Sequence, residues 1–328
     1  MSVHVLNAEL IGEKQHRKQG LRWSCSLRRK LIVGGVTLAI VAGLAIGLGV
    51  GLTVGKKSSN DGTSSAATAS PTSAVDAASV PDTIWKPKNG STWDLILEFA
   101  FNHTVPNIGV WDIDLYANDA DTIQSLQSNG SKVICYFSAG SYENWRPDKD
   151  NFTTSDLGSP LDGWPGEYWL NVSSSNVRTI MLSRLDLAVV KGCNGVDPDN
   201  VDGYDNDNGL DLTEDDAIQY MEFLADAAHS RNLSIGLKNA GAIVPYIIDI
   251  MEWSVQEQCV KYDECDLYMP FIEQGKPVFH VEYPKGDDTN NNDDVSASTK
   301  ELLCADSQAQ GFSTILKNML LDNWIETC

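Results

Sequence analysis

The chain is poor in cationic and imidazole groups: 24 Lys and Arg stand against 45 Asp and Glu, with only 5 His among 328 residues. A field of that sign disfavours nucleic acid and anionic polymers and attracts cationic partners, and it also serves solubility. No G-x-G-x-x-G or P-loop pattern occurs, which argues against a doubly wound nucleotide-binding sheet. There is no G-x-S-x-G elbow, and the few His offer Ser138 and Ser141 no obvious partner, so serine-hydrolase chemistry is disfavoured. His and Cys spacings match no zinc site. The acidic run Asp197, Asp199, Asp202, Asp205, Asp207 and Asp211 fails the EF-hand register, because Gly and Glu do not fall at its sixth and twelfth positions. Neither metal nor cofactor is therefore expected.

Charge is missing altogether from Leu31 to Val54, a run of 24 residues with two Thr as its main polar groups. As a helix it would be about 36 Å long, enough to cross a hydrocarbon core of about 30 Å. A cleaved signal peptide has a shorter apolar region, about 7 to 15 residues. Seven of the basic residues precede the run, from Lys14 to Lys30, and Lys56 and Lys57 follow it. The basic bias places the N-terminus in the cytoplasm and the remainder outside. The expected organisation is a cytoplasmic tail over 1–30, a transmembrane signal anchor over 31–54, a Ser/Thr/Ala-rich linker over 55–80 and a folded domain over 81–328. The localisation that follows is a single-pass plasma-membrane protein with an extracellular domain, expected to be monomeric.

Cysteine usage and glycosylation signals agree with that topology. Six N-x-Ser/Thr sequons, at Asn89, Asn102, Asn129, Asn151, Asn171 and Asn232, all lie beyond the apolar run. Of the seven Cys only Cys25 precedes it. The others form an even set suited to an oxidising compartment. About fifteen pairings are open to six Cys; the short-range reading is Cys259 with Cys265 and Cys304 with Cys328, leaving Cys135 with Cys193.

Beyond residue 80, eight short apolar runs alternate with helical patterns: Trp93–Leu97, Ile108–Ile113, Lys132–Phe137, Gly195–Asp199, Leu233–Leu237, Met251–Val255, Pro277–Val281 and Phe312–Leu316. Ile123 and Leu126 mark one helix, closed by Gly130. Val177, Ile180, Met181, Leu185, Ala188 and Val189 mark a second, ending at Gly192. A third opens on Thr213 with Asp216 three positions on, then carries Ala217, Tyr220, Met221, Leu224 and Ala228. Such alternation predicts an α/β fold, a (β/α)8 TIM barrel.

Polar residues collect where the apolar runs end. Asp114 and Tyr116 follow the second, and Ser138, Ser141 and Glu143 the third. Asp197 and Asp199 end the fourth, Lys238 and Asn239 the fifth, Glu257 the sixth and Glu282 the seventh. In a barrel this rim holds the chemistry. A single Asp in such a loop is ordinarily a turn cap, but jointly placed carboxyls suit glycosidic bond cleavage, which needs one acid and one nucleophile or base. Asp199 and Glu257 are the candidate pair. Asp114, Tyr136, Ser138, Glu143, Trp145, Asp197, Lys238, Asn239 and Glu282 are the expected substrate contacts. Trp111, Tyr116, Tyr142, Trp164 and Tyr168 add flat faces for pyranose stacking, whereas Trp253 and Trp169 suit the core. The run Asp148 to Tyr168, with its Pro and Gly, is expected as a long rim loop shaping a subsite.

The segments Thr92-Trp93-Asp94, WDIDLY, KVICYFSAGSYENWR, EYWLNV, GVDPDNVDGY, LSIGLKN and EWSVQEQC occur in an order that resembles glycoside hydrolase family 114. The resemblance spans residues 82 to 328. It implies a (β/α)8 endo-α-1,4-polygalactosaminidase, like the membrane-anchored fungal members that act on galactosaminogalactan. The family's essential Asp in PDN falls on Asp199 and its Glu in E-x-C on Glu257, implying a retaining mechanism with Asp199 as nucleophile and Glu257 as acid/base. Asp197, the acid before the proline, leaves the choice between two aspartates open; it is read as a substrate contact or support of the strand end. The implied partner is a cationic, partly deacetylated galactosamine-containing polysaccharide. The alternatives are a non-catalytic cell-wall polysaccharide-binding protein and an endo-glycosidase of a different polysaccharide.

Overall fold

The computed structural model describes residues 84–102, 107–286 and 289–328. The tail, anchor and linker expected over 1–80 lie outside the described residues. Among those described, no helix is long and apolar enough to cross a membrane.

Nine strands form one sheet: β1 (Trp93–Ile96), β2 (Val110–Asp114), β3 (Lys132–Ser138), β7 (Gly195–Asp199), β8 (Ser234–Lys238), β9 (Trp253–Glu257), β10 (Val278–Glu282), β11 (Ser313–Lys317) and β12 (Ile325–Thr327). They lie in the order β1-β2-β3-β7-β8-β9-β10-β11-β12. Every pair is parallel except β11 with β12, which is antiparallel. The eight parallel strands fall on the eight apolar runs, displaced by one or two residues at their ends. Strand β12, three residues long, has too little pattern to be read from sequence.

The sheet curls so that its first and eighth strands meet. The Trp93 indole donates to Ser313 O at 2.7 Å, and the Lys317 ammonium pairs with Asp94 at 2.7 Å, both side chains fully buried. The result is a TIM-barrel-like sheet with a covering layer of helices.

Strand periodicity divides the core in two. Trp93, Leu95, Val110, Ile134, Trp253, Val255, Phe279, Val281 and Ile315 pack together inside the curl. Trp111, Ile113, Val133, Cys135, Phe137, Val196, Ile235 and Leu237 face the helices. Gly195 and Gly236 are required by the interior: a Cβ there would stand 2.5 and 2.0 Å from the Trp253 indole.

Helix α1 (Ala120–Ser128) starts at Asp119, whose side chain accepts from Thr122 N, and buries Ile123 and Leu126. Helix α2 (Ser175–Lys191) ends at Gly192 in a left-handed turn and buries five of its six expected apolar positions. The sixth, Val189, faces solvent, and Arg184 lies on the buried side instead. Helix α3 (Glu214–His229) opens on the expected Thr213–Asp216 capping box and buries all five of its marked residues. Helix α4 (Ala297–Cys304) follows β10.

Disulfides join Cys135 to Cys193, Cys259 to Cys265 and Cys304 to Cys328, the short-range reading of the sequence. The expected rim loop from Asp148 to Tyr168 is mostly turns and loop, but it contributes Leu157–Pro160 and the start of a strand at Glu167 to a second, small sheet. β4 (Ser141–Glu143), β5 (Leu157–Pro160) and β6 (Glu167–Leu170) run antiparallel in the order β4-β6-β5. Prolines and glycines hide those short strands by breaking the alternation.

Candidate active site

Asp199 ends β7 and Glu257 ends β9, with β8 between them. Lys238, the last residue of β8, places its ammonium 3.2 Å from an oxygen of each. The two contacted oxygens therefore lie no farther apart than twice that distance. Burial alone would lower the Lys238 pKa, but Asp199, Glu257 and Asp197 together hold its ammonium well above the usual lysine range.

Each carboxylate has further donors. The Tyr136 hydroxyl donates to Asp199 at 2.8 Å. The Tyr283 hydroxyl donates to Glu257 at 2.5 Å. The Asn239 amide donates to Glu257 at 3.1 Å, while its carbonyl oxygen accepts from Glu257 N. Burial and the adjacent carboxylates hold both phenols well above the ordinary tyrosine range, so each remains a donor.

Backbone geometry aims these groups. Asn200, Asn239 and Gln258, which directly follow Asp199, Lys238 and Glu257, have φ of 61°, 53° and 61°. A left-handed residue at each strand end turns the chain outward at once, and Asn tolerates it better than most. Asp199 O accepts from Ala139 N and Gly140 N at 2.8 and 3.0 Å. That approach requires Gly140, since a Cβ there would lie 1.8 Å from Asn200 O.

The other expected contacts divide. Asp197 is fully buried beneath the pair. Ser138 is buried in a network with Ser141 and Asn200. Asp114 and Glu143 both pair with the buried Arg146, at 2.7 and 2.6 Å, and so brace the rim instead of facing Asp199. Trp145, between Glu143 and Arg146 in the chain and half-buried, belongs to the same rim segment. Glu282 is 2 % exposed and accepts from Val260 N, which fixes the turn after Glu257.

Three participants were missed by the sequence reading. Tyr283, one residue past Glu282, holds the inward position, because a one-residue step reverses the face of a strand. Asp112 lies inside the barrel, where a mid-strand acid reads as a solvated position. Arg184, 1 % exposed, pairs with Asp148 at 2.8 Å and donates to Ser138 O, anchoring the end of β3. Only its i,i+3 relation to Met181 signalled burial. A cavity of about 590 Å³ opens elsewhere, at the N-terminal ends of β1 and β11 around Thr92, Trp93 and Ser313, and contains none of these groups.

Two acids held on either side of a lysine, at the C-terminal ends of parallel strands, have the arrangement that glycosidic bond cleavage requires of its carboxyl groups. The comparisons with known proteins agree. The family described as Glycoside-hydrolase family GH114 matches residues 74–328, and the chain belongs to it. It is similar to Aspergillus fumigatus Ega3, whose crystal structure is a complex with galactosamine. The two share 62% identity over 74% of this chain and 97% of that one, with a TM-score of 0.73. The glycoside hydrolase domain of PelA from Pseudomonas aeruginosa shares the fold at 13% identity, with a TM-score of 0.56 over 72% of this chain and 98% of that one. No curated protein sequence matches.

Proposed function

We propose that this glycoside hydrolase cleaves α-1,4-galactosamine linkages within a galactosamine-containing polysaccharide, with Asp199 as nucleophile and Glu257 as acid/base. The observation that carries the mechanism is the single ammonium of Lys238 lying 3.2 Å from both carboxylates. Twice that distance is an upper bound on the separation of the two contacted oxygens, and it accommodates the about 5 to 5.5 Å of retaining pairs. Asp199 attacks the anomeric carbon while Glu257 protonates the departing oxygen. Glu257 then takes a proton from the water that releases the sugar from Asp199. Tyr136 and Tyr283 orient the carboxylates, and Asn239 fixes Glu257 at both backbone and side chain.

Substrate class rests on the likeness to Ega3 and on charge: 45 acidic residues against 24 basic ones favour an amino-sugar polymer with free ammonium groups. Proton NMR of the first product from a galactosamine oligomer should show the α anomer, since retention preserves configuration. An initial β anomer would contradict the nucleophilic role of Asp199.

The domain is proposed to form a complete (β/α)8 barrel held outside the plasma membrane by residues 31–54, through the 55–80 linker. Three disulfides support an oxidising compartment. Five of the six sequon asparagines are exposed, all but Asn171. Endoglycosidase treatment of membrane fractions should lower the apparent mass, and an unchanged mass would reverse this topology.

A further inference from the structure

Two acids beneath the catalytic pair are not explained by packing. Asp112 on β2 and Asp197 on β7 are both 0 % exposed, and neither oxygen of either carboxyl meets a donor among the described residues. The two groups face each other within hydrogen-bonding reach. Buried carboxylates normally survive only with cations or several donors around them. Here the charged groups acting on them are Asp199 from β7, Lys238 from β8 and Glu257 from β9. Lys238 is the one cation of that set, and its ammonium is directed to Asp199 and Glu257.

We infer that Asp112 is a positioning residue for the hydrolytic site: it and Asp197 share one proton, and their single net negative charge beneath Lys238 holds the ammonium between Asp199 and Glu257. This rests on the proposed roles of those two carboxylates. The proton makes one carboxyl a donor to the other, satisfying oxygens that have no other partner. It also removes the repulsion that two ionised carboxylates in contact would suffer. Fully ionised, the four acids would surround one ammonium and leave three negative charges unbalanced. With the proton in place, the lower pair balances Lys238 and leaves the upper pair for chemistry.

The surroundings shift both carboxyls in the direction this requires. Burial pushes Asp112 well up and Asp197 adds to it, against the pull of Lys238. Burial also pushes Asp197 up, Lys238 again opposing and Asp199 assisting. A raised carboxyl pKa keeps the shared proton on the acid side and releases it as pH rises. Loss of the proton doubles the charge below Lys238 and draws the ammonium from the catalytic oxygens, so activity falls on the alkaline side.

The test is the pH profile of kcat on a galactosamine oligomer for the parent, Asp112→Asn, Asp197→Asn and the double variant, with thermal melts as folding controls. Either single substitution supplies a permanent donor and keeps one charge, so the alkaline limb should move up by about one pH unit or more, the size of removing one contacting carboxylate. The two singles are mirror tests, and either suffices if the other does not fold. The double variant loses the charge below Lys238, and its kcat should drop roughly 10- to 100-fold while KM changes little, as expected when alignment of catalytic groups is lost. A parental alkaline limb in a folded single variant, or a double variant as active as the singles, would overturn the inference. Asp199→Asn, run alongside, separates the two readings: if it keeps activity, the catalytic assignment fails whatever the lower pair does.

Discussion

At the scale of single residues, the site gives each of the two proposed catalytic carboxylates its own phenol and a shared ammonium. Tyr136 serves Asp199, Tyr283 serves Glu257, and Lys238 serves both. Hydrogen bonds to charged groups contribute about 1.5 to 3 kcal/mol each. Tyr283→Phe keeps the ring among its interior neighbours and removes only the donor to Glu257. Its kcat should therefore fall about 10- to 100-fold, while its melting temperature stays near the parent's. Steady-state kinetics with a parallel melt checks this, and a parental kcat would show that Glu257 does not depend on that contact. Tyr283 also shows where residue-level reading of the sequence fails. The apolar run ending near Val281 is plain, but its facing is not, and Glu282 offers the chemistry expected of the site. The pleat assigns Tyr283 inward and turns Glu282 toward Val260 N. Asp197 was legible because it adjoins the PDN turn. Asp112 was not, because nothing in its own sequence neighbourhood distinguishes a buried carboxyl from a solvated one.

At the scale of elements, the parallel strands were the readable part, because both faces of such strands are apolar and stand out against amphipathic helices. All three long helices beyond the first strands carried caps or a closing glycine that marked their ends. The small sheet of β4, β5 and β6 did not, since three- and four-residue strands broken by Gly and Pro carry almost no period. A (β/α)8 reading implies that β1 and β11 meet, but the buried pair Asp94 and Lys317 that helps join them, 223 positions apart, carries no signal in the sequence. Removing one partner of a buried pair costs about 3 to 5 kcal/mol, because the other charge is left in a dry interior. Lys317→Met should therefore lose about that much stability in denaturant unfolding, and Asp94→Asn combined with it should recover part of the loss. A single variant as stable as the parent would mean that the pair does not hold the two strands together.

At the scale of the whole molecule, one excess of charge and one arrangement of strands serve the same end. The acidic domain suits the amino-sugar polymer proposed as its substrate, and the parallel sheet gathers acids from β7 and β9 around the lysine of β8. The disulfides secure parts of this arrangement. Cys135 ties β3 to the entry of β7, and the Cys259–Cys265 bridge closes the turn directly after Glu257. The most direct measurement of the central claim is reducing-end release from deacetylated galactosamine polymer by the purified parent, Asp199→Asn and Glu257→Gln proteins. Both substitutions preserve shape and remove a group that attacks or carries a proton. Each should lower turnover by about a thousandfold or more, as removal of an essential catalytic group does, with polymer binding and thermal stability close to the parent's. If either folded variant keeps turnover within a few fold of the parent, Asp199 and Glu257 are not the catalytic pair.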